Sequence, residues 1–451
     1  VKVALASEAF DRGFGTARSL LVNLYAEMSP EGPTPDRRVP RPGLAPFGEL
    51  GAGPVRAIAD HLASRFVVSG TRVYKDSTQI GVIPGLGLVR YAQSDTELVM
   101  VSEGIVYLVG DDVTTIATPD DDLISDVAVA GGRFIYTVEG TGKFRYSDIG
   151  DASTIGALNF ASAESDPDDI VSIEVLGSDI LMFGENTTEW HVPTGDIDAP
   201  FVRNGGRRYD RGSAAKNTAV KLDNTIFWVG TAQQGADLQV YRAAGVPQAV
   251  SNEGIEAALG QCEDITLATA VAIVSTGHSF YVLNIPGVGT FAYDVKTQRW
   301  GEWQSFGQPT FRVQCGSDGV YGDTDTGQLW TINPDRRTDG TDTIIYQVSG
   351  LLAVDEGSYR VNAVRLHART GIGSPGGSPV VEARYSKQGA EDWSSWREAS
   401  MGAPGNHPRV MWRQWGLLKA PGLAIDFRFS GGADFVPYLC TVDLAQGSNR
   451  L

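Results

Sequence analysis

Three cysteines in 451 residues, Cys262, Cys315 and Cys440, are too few and too far apart for a disulfide framework or for paired metal-ligand spacing. They imply a reducing site of synthesis and buried free thiols. No window approaches the roughly 18 continuous apolar residues of a membrane-spanning helix. The opening VKVALASEAFDRG is too short and too soon charged for a secretory signal. A basic surplus is also missing: 37 Lys and Arg against 54 Asp and Glu give a formal net charge of −17, whereas a domain that grips nucleic acid from outside carries a basic stripe. The balance argues against tight DNA binding and leaves room for an acidic wall past which a phosphate backbone slides. Helix signals are scarce, and SNEGIEAALGQ, with Ser251 and Asn252 as candidate caps, is the best of them.

Catalytic signatures are lacking too. Gly140-Thr141-Gly142-Lys143 has glycines and a lysine but not the spacing of a phosphate loop, and Phe144 stands where Ser or Thr would ligate magnesium, so it reads as a hairpin turn. Asp323, Asp325 and Gly327 make half of a calcium loop without the acidic residue that would close it. His61, His191, His278, His367 and His407 form no ligand pattern, and no Gly-x-Ser-x-Gly elbow occurs. The runs Asp120-Asp121-Asp122 and Asp166 to Asp169 could pair carboxylates for glycoside chemistry, but acidic turns between strands are commonly just solvated. No catalytic, cofactor or metal site is expected. The densest basic patch is Arg203, Arg207, Arg208 and Arg211, which suits a subunit contact, a DNA contact or a solvated loop.

What the chain has in abundance is one phrase: an apolar alternating run, a turn rich in Gly, Ser, Asp or Asn, then a second apolar run. It is clearest from Ser172 to Phe201. There Ile173 and Val175 precede the turn Gly177-Ser178-Asp179, Ile180, Met182 and Phe183 follow it, and a third strand carries Trp190 into Pro193-Thr194-Gly195-Asp196. Such a meander of about 25 residues cannot stand alone and must lay its apolar face on a neighbour. The phrase recurs around Gly70, Gly104, Gly132, Asn224, Gly277 and Asp318. Seven copies roughly 30 to 50 residues apart match the period of propeller blades. The expectation is therefore an all-β chain whose residues 57–335 form a β-propeller of six or seven blades, closed so that no edge strand is left to aggregate. Trp190, Trp228, Trp300, Trp303 and Trp330 end or flank blade strands and should pack between blades.

The flanks differ. Residues 1–56 do not read as a blade. SLLVNLYAEM is followed by a segment with Pro33, Pro35, Pro40, Pro42 and Pro46, which predicts an extended N-terminal arm that crosses a neighbour or leads into the first blade. After Asn333-Pro334 and RRTDGTD, residues 336–451 carry strands of about 8 residues such as YRVNAVRLHART and LAIDFRFSG, which predict a C-terminal antiparallel, sandwich-like β domain packed on the propeller.

Several stretches also resemble the packaged-DNA stabilisation proteins that form the tail nozzle, or hub, of short-tailed bacteriophages. They are VNLYAEM and PGL near the start, LGSDILMFGENTTEWHVPTG in the middle, and then DNTIFWVGTAQQGADLQVYRAAGVPQAVSNEGIEAAL. The last is VMWRQWGLLKAPGLAIDFRFSG with YLCTVDL. None is a catalytic motif; the resemblance lies in their collinearity. It implies a non-enzymatic virion protein, assembled in the host bacterial cytoplasm as a homo-oligomer, a hexameric ring below the portal and adaptor rings. Needle, spike or fibre proteins would stand nearby, and DNA would pass through the channel without specific binding. The competing class is a propeller glycosidase or lyase acting on cell-surface polysaccharide, which would need carboxylates or a His/Tyr pair converging at one face. Setting the charge against the implied role, Asp120, Asp121, Asp122, Asp166, Asp168 and Asp169 become candidates to line the channel, and Arg203, Arg207, Arg208 and Arg211 candidates for subunit contacts.

Overall fold

A computed structural model describes residues 1–9, 19–28, 36–163, 168–231, 237–355, 357–373, 377–387 and 392–446. Among them, the recurring phrase becomes seven antiparallel four-stranded blades. Blades 1 to 5 span 55–82, 90–116, 124–162, 170–209 and 220–249, and blade 6 spans 269–302. Blade 7 takes its three inner strands from Val313–Ser317, Val320–Asp323 and Gln328–Asn333 and its outer strand from Gly43–Glu49, near the other end of the chain. The inner strands lie side by side around one axis, blade 7 returning to blade 1. The chain is thus an all-β propeller with seven blades.

Alternation along each strand explains the cohesion. Successive side chains point to opposite faces, so Ala57 and Ala59 enter the core shared with blade 2 while Ile58 enters the one shared with blade 7, and a bulge between Val55 and Ala57 turns Val55 to that same side. Every seam between neighbouring blades holds its own apolar cluster, seven in all among the described residues. The five tryptophans fill three of these seams. Trp228 is fully buried, and its indole N–H donates to the Gly212 carbonyl at 3.0 Å. The α-helix Glu253–Gly260 caps blade 5 toward blade 6, with Asn252 accepting from the Ile255 N–H as the N-cap.

The described strands of the N-terminal segment are tied into neighbouring sheets. Lys2–Val3 joins the sheet of Pro437–Gln446, Leu21–Val22 bridges blade 6 to the C-terminal strands, and Gly43–Glu49 completes blade 7. Proline costs a sheet one backbone donor, which an outer strand can forgo, and Pro46 lies opposite Trp330 in such a strand. Between these strands Arg41 is fully buried. Its guanidinium donates to both carboxylate oxygens of Asp339, at 3.0 and 2.6 Å, and to Asn23 Oδ1, and it lies over the Phe311 ring. The C-terminal strands stack as two sheets around one core that includes Trp412, Trp415, Phe427 and Phe429. There burial pushes the Cys440 thiol up to about 12, which keeps it inert.

Candidate functional site

An inner strand pairs on one side only, so its other edge of N–H and C=O groups faces the propeller axis and needs partners. Charged side chains supply some of them. Asp126, on the inner strand of blade 3, is fully buried and accepts from the backbone N–H of Val127 at 2.8 Å and of Ile173 in blade 4 at 3.1 Å. It also accepts from Arg90 Nε of blade 2 at 2.8 Å. Arg90 reaches on to Glu174 of blade 4 at 2.9 Å, and the other Glu174 oxygen lies 3.6 Å from Lys221 Nζ of blade 5. Burial alone would weaken the Arg90 charge. The two carboxylates more than offset this and raise its pKa.

Two cations and two anions from four blades therefore meet around the axis, beside a cavity of about 370 Å³. At one end the cavity shares Leu88, Asn217 and Gln314 with a wider funnel of about 1020 Å³. The funnel opens on the face that carries the connectors between blades and the turns between second and third strands. Leu86, Leu123 and Leu267 come from three connectors, and Glu103, Glu139 and Glu185 from the turns of blades 2, 3 and 4.

Residues 11–332 match the family described as bacteriophage P22 Gp10, beta-propeller. The chain belongs to that family. The tail hub protein gp10 of Salmonella phage P22 is 22% identical over 254 residues, 52% of this chain and 54% of that protein. The chain thus matches about half the length of that relative. Among solved structures, the extracellular domain of the two-component system BT4673 from B. thetaiotaomicron superposes with a TM-score of 0.43 at 9% identity, covering 89% of this chain and 59% of its own. PorZ of Porphyromonas gingivalis does so at 0.34 and 11%, covering 78% and 46%. Likenesses this loose carry no argument of their own.

The residues singled out from sequence in this family member are scattered. Asp120 and Asp122 sit on the connector between blades 2 and 3 and both pair with Arg145, at 2.6 Å each, while Lys143 also reaches Asp122 at 3.0 Å. The Asp121 side chain is exposed. Asp168 caps the turn of blade 4, accepting from the Asn186 and Thr187 N–H groups, and Asp169 is exposed beside it. Asp166 lies outside the described residues. Of the arginines, Arg207 pairs with Asp179 at 2.7 Å and lies over Trp190. Arg208 pairs with Asp210, Arg203 stands 4.0 Å from Glu189, and Arg211 donates to the Tyr241 hydroxyl. These groups form no common constellation.

The sequence decoys are turns. Thr141 Oγ1 donates to the Val138 carbonyl in one, and Asp323 Oδ1 accepts from the N–H groups of Asp325 and Thr326 in the other. The axial quartet went unpredicted. Its signal was a charge inside an apolar strand, as in ISDVAVA for Asp126 and IVSIEVL for Glu174. A strand edge that faces an axis tolerates such a charge because partners from other blades surround it.

Proposed function

We propose that this chain is a structural tail hub protein of a phage virion, acting as one copy in a ring around the DNA exit channel. The observation that carries the reading is the family match over residues 11–332, joined by the name of the relative from phage P22. The axis supports a channel between copies and not through one copy. Lys221, Glu174, Arg90 and Asp126 stand at the axis of a single propeller, beside a cavity of about 370 Å³. A DNA duplex, whose major groove alone is about 12 Å wide, cannot pass there.

In this reading the ring is a hexamer assembled in the host cytoplasm. It sits below an adaptor ring with needle, spike or fibre proteins close by, and it holds packaged DNA until ejection. The exposed Asp121 and Asp169, with the outward part of Asp120, belong to the wall that repels phosphate at close range. The outer strand Phe201–Tyr209 of blade 4 offers Arg203 and Arg207 to a neighbouring copy. Electron microscopy of the purified chain, with native mass measurement, tests the reading. Closed rings with an open centre, with no turnover of bacterial surface polysaccharide, are expected. A monomer that cleaves such a glycan would overturn it in favour of the enzyme class.

A further inference from the structure

We propose that the funnel is a docking site for a segment of a partner protein that presents a lysine or arginine next to an apolar side chain. A lone exposed leucine on a protein surface is ordinary, but several on one cavity wall are not. Leu86, Leu123 and Leu267 are 87%, 56% and 62% exposed, and all three line the funnel. Leu86 and Leu123 come from the connectors on either side of blade 2 and Leu267 from the one before blade 6, so the apolar groups stand on both sides of the mouth.

Charge fixes the sign of the occupant. Among the described lining residues three carboxylates, Glu103, Glu139 and Glu185, stand against one ammonium, Lys216. All three glutamates are exposed and come from turns of successive blades, so their field converges on the opening. The floor asks for a donor as well. Asn217 Oδ1 is buried where funnel and axial cavity meet, and it has no hydrogen-bond partner. A buried acceptor left unpaired is costly, and an N–H from an incoming side chain would satisfy it. The volume, about 1020 Å³, lies at the upper end of pockets that enclose small ligands, about 300 to 1,000 Å³. A few residues of extended chain fit it better than a compact cofactor does. The glutamates that attract such a segment repel phosphate, so DNA is not the occupant.

The test uses the full chain and three dye-labelled hexapeptides, with alternating Leu and Lys, Leu and Glu, or Ser and Lys, followed by fluorescence anisotropy. The Leu/Lys peptide should bind saturably at one per chain and at least about tenfold more tightly than either analogue, and its binding should weaken as salt is raised. The double variants Glu139→Lys with Glu185→Lys, and Leu86→Ser with Leu267→Ser, should each weaken it by about tenfold or more. Their melting temperatures should not change, since the altered side chains are exposed. No binding, equal binding of the acidic peptide, or binding indifferent to both double variants would overturn the proposal. Tighter binding of a single-stranded oligonucleotide would do the same, as would self-association that Leu86→Ser abolishes, which would assign the funnel to a second copy. Apart from that self-association, which would support assembly of copies while removing the partner segment, none of these outcomes bears on whether the chain forms rings, so the docking site and the tail hub reading fail separately.

Discussion

Blade 4 and blade 7 have the same four-stranded plan and are held together by different means. Blade 4 is continuous in sequence, 170–209, and lies between two aromatic-rich clusters, one with Phe144, Tyr146 and Phe201, the other with Phe183, Trp190, Tyr209, Trp228 and Tyr241. Blade 7 is assembled from two segments far apart in sequence; its seam with blade 6 holds Trp303, Phe311 and Trp330, but its seam with blade 1 holds five buried residues, Val55, Ile58, Val67, Val320 and Leu329. Backbone makes up the difference there. Strand Gly43–Glu49 pairs along Gln328–Asn333 from Gln328↔Glu49 to Asn333↔Gly43, and the turn before it packs main chain on main chain. A Cβ at Gly327 would lie 2.2 Å from the Leu50 carbonyl oxygen, and one at Gly53 would lie 2.0 Å from the backbone of Thr326. The comparison predicts where the ring opens first. Closing the loop between Glu49 and Gln328 costs entropy that grows only slowly with its length, and the thinner side-chain packing between blades 7 and 1 makes that seam the expected first point of separation.

The largest expected effect lies on the aromatic side. Replacing Trp228 by Ala removes a fully buried ring and its hydrogen bond to Gly212, and should lower stability by about 3 to 5 kcal/mol. Because blade 4 is held on both faces, the loss should appear as a lower midpoint of one cooperative transition in denaturant. A midpoint equal to the unaltered chain would mean that side-chain packing does not hold this seam.

The middle effect belongs to blade 7. Gly327→Ala forces a methyl group against the Leu50 and Gly51 carbonyl oxygens, and overpacking of this kind costs about 1 to 3 kcal/mol. Its signature should be local: faster amide exchange in Gly43–Glu49 and Gln328–Asn333 while Asp179–Gly184 of blade 4 stays protected. Equal loss of protection in blades 4 and 7 would erase the distinction between them.

The blades were legible, to within the choice of six or seven, because each hairpin phrase is local: DVAVAGGRFIYTV states its alternation and its turn within a few residues of itself. Closure was not. Nothing near Pro46 says that its strand will pair with residues around Trp330, and this proline, one of those that predicted an extended segment, is the kind an outer strand accepts. The axial quartet was illegible for a related reason. Arg90, Asp126, Glu174 and Lys221 lie on four different blades and become neighbours only when the ring closes. The acidic run at 120–122 was noticed for its charge, yet the sequence did not show that Arg145, folded into the next blade, would claim two of its three carboxylates.

That run gives the smallest effect and ties an ordinary connector, between blades 2 and 3, to the comparison. Burial alone would push the Asp122 carboxyl up, but hydrogen bonds and charge from Arg145 and Lys143 outweigh it and hold the group below the usual carboxylate range. A carboxylate whose folded pKa is depressed stabilises the fold fully above its unfolded value, about 3.9, and loses that contribution as pH falls through the folded value. Asp122→Asn should therefore be less stable than the unaltered chain at neutral pH, and the difference between the two should shrink only below about pH 4. Connector 50–54, which enters blade 1, has no charged residue at all. Blade 7 protection should then be indifferent to Asp122→Asn across the same pH range. Urea melts at stepped pH, read together with amide exchange in blades 3 and 7, check both halves. A gap between the two proteins that stays constant down to pH values well below the usual carboxylate range would show that the Arg145 and Lys143 contacts do not govern Asp122, and that its connector, like the uncharged one entering blade 1, is held without these charges.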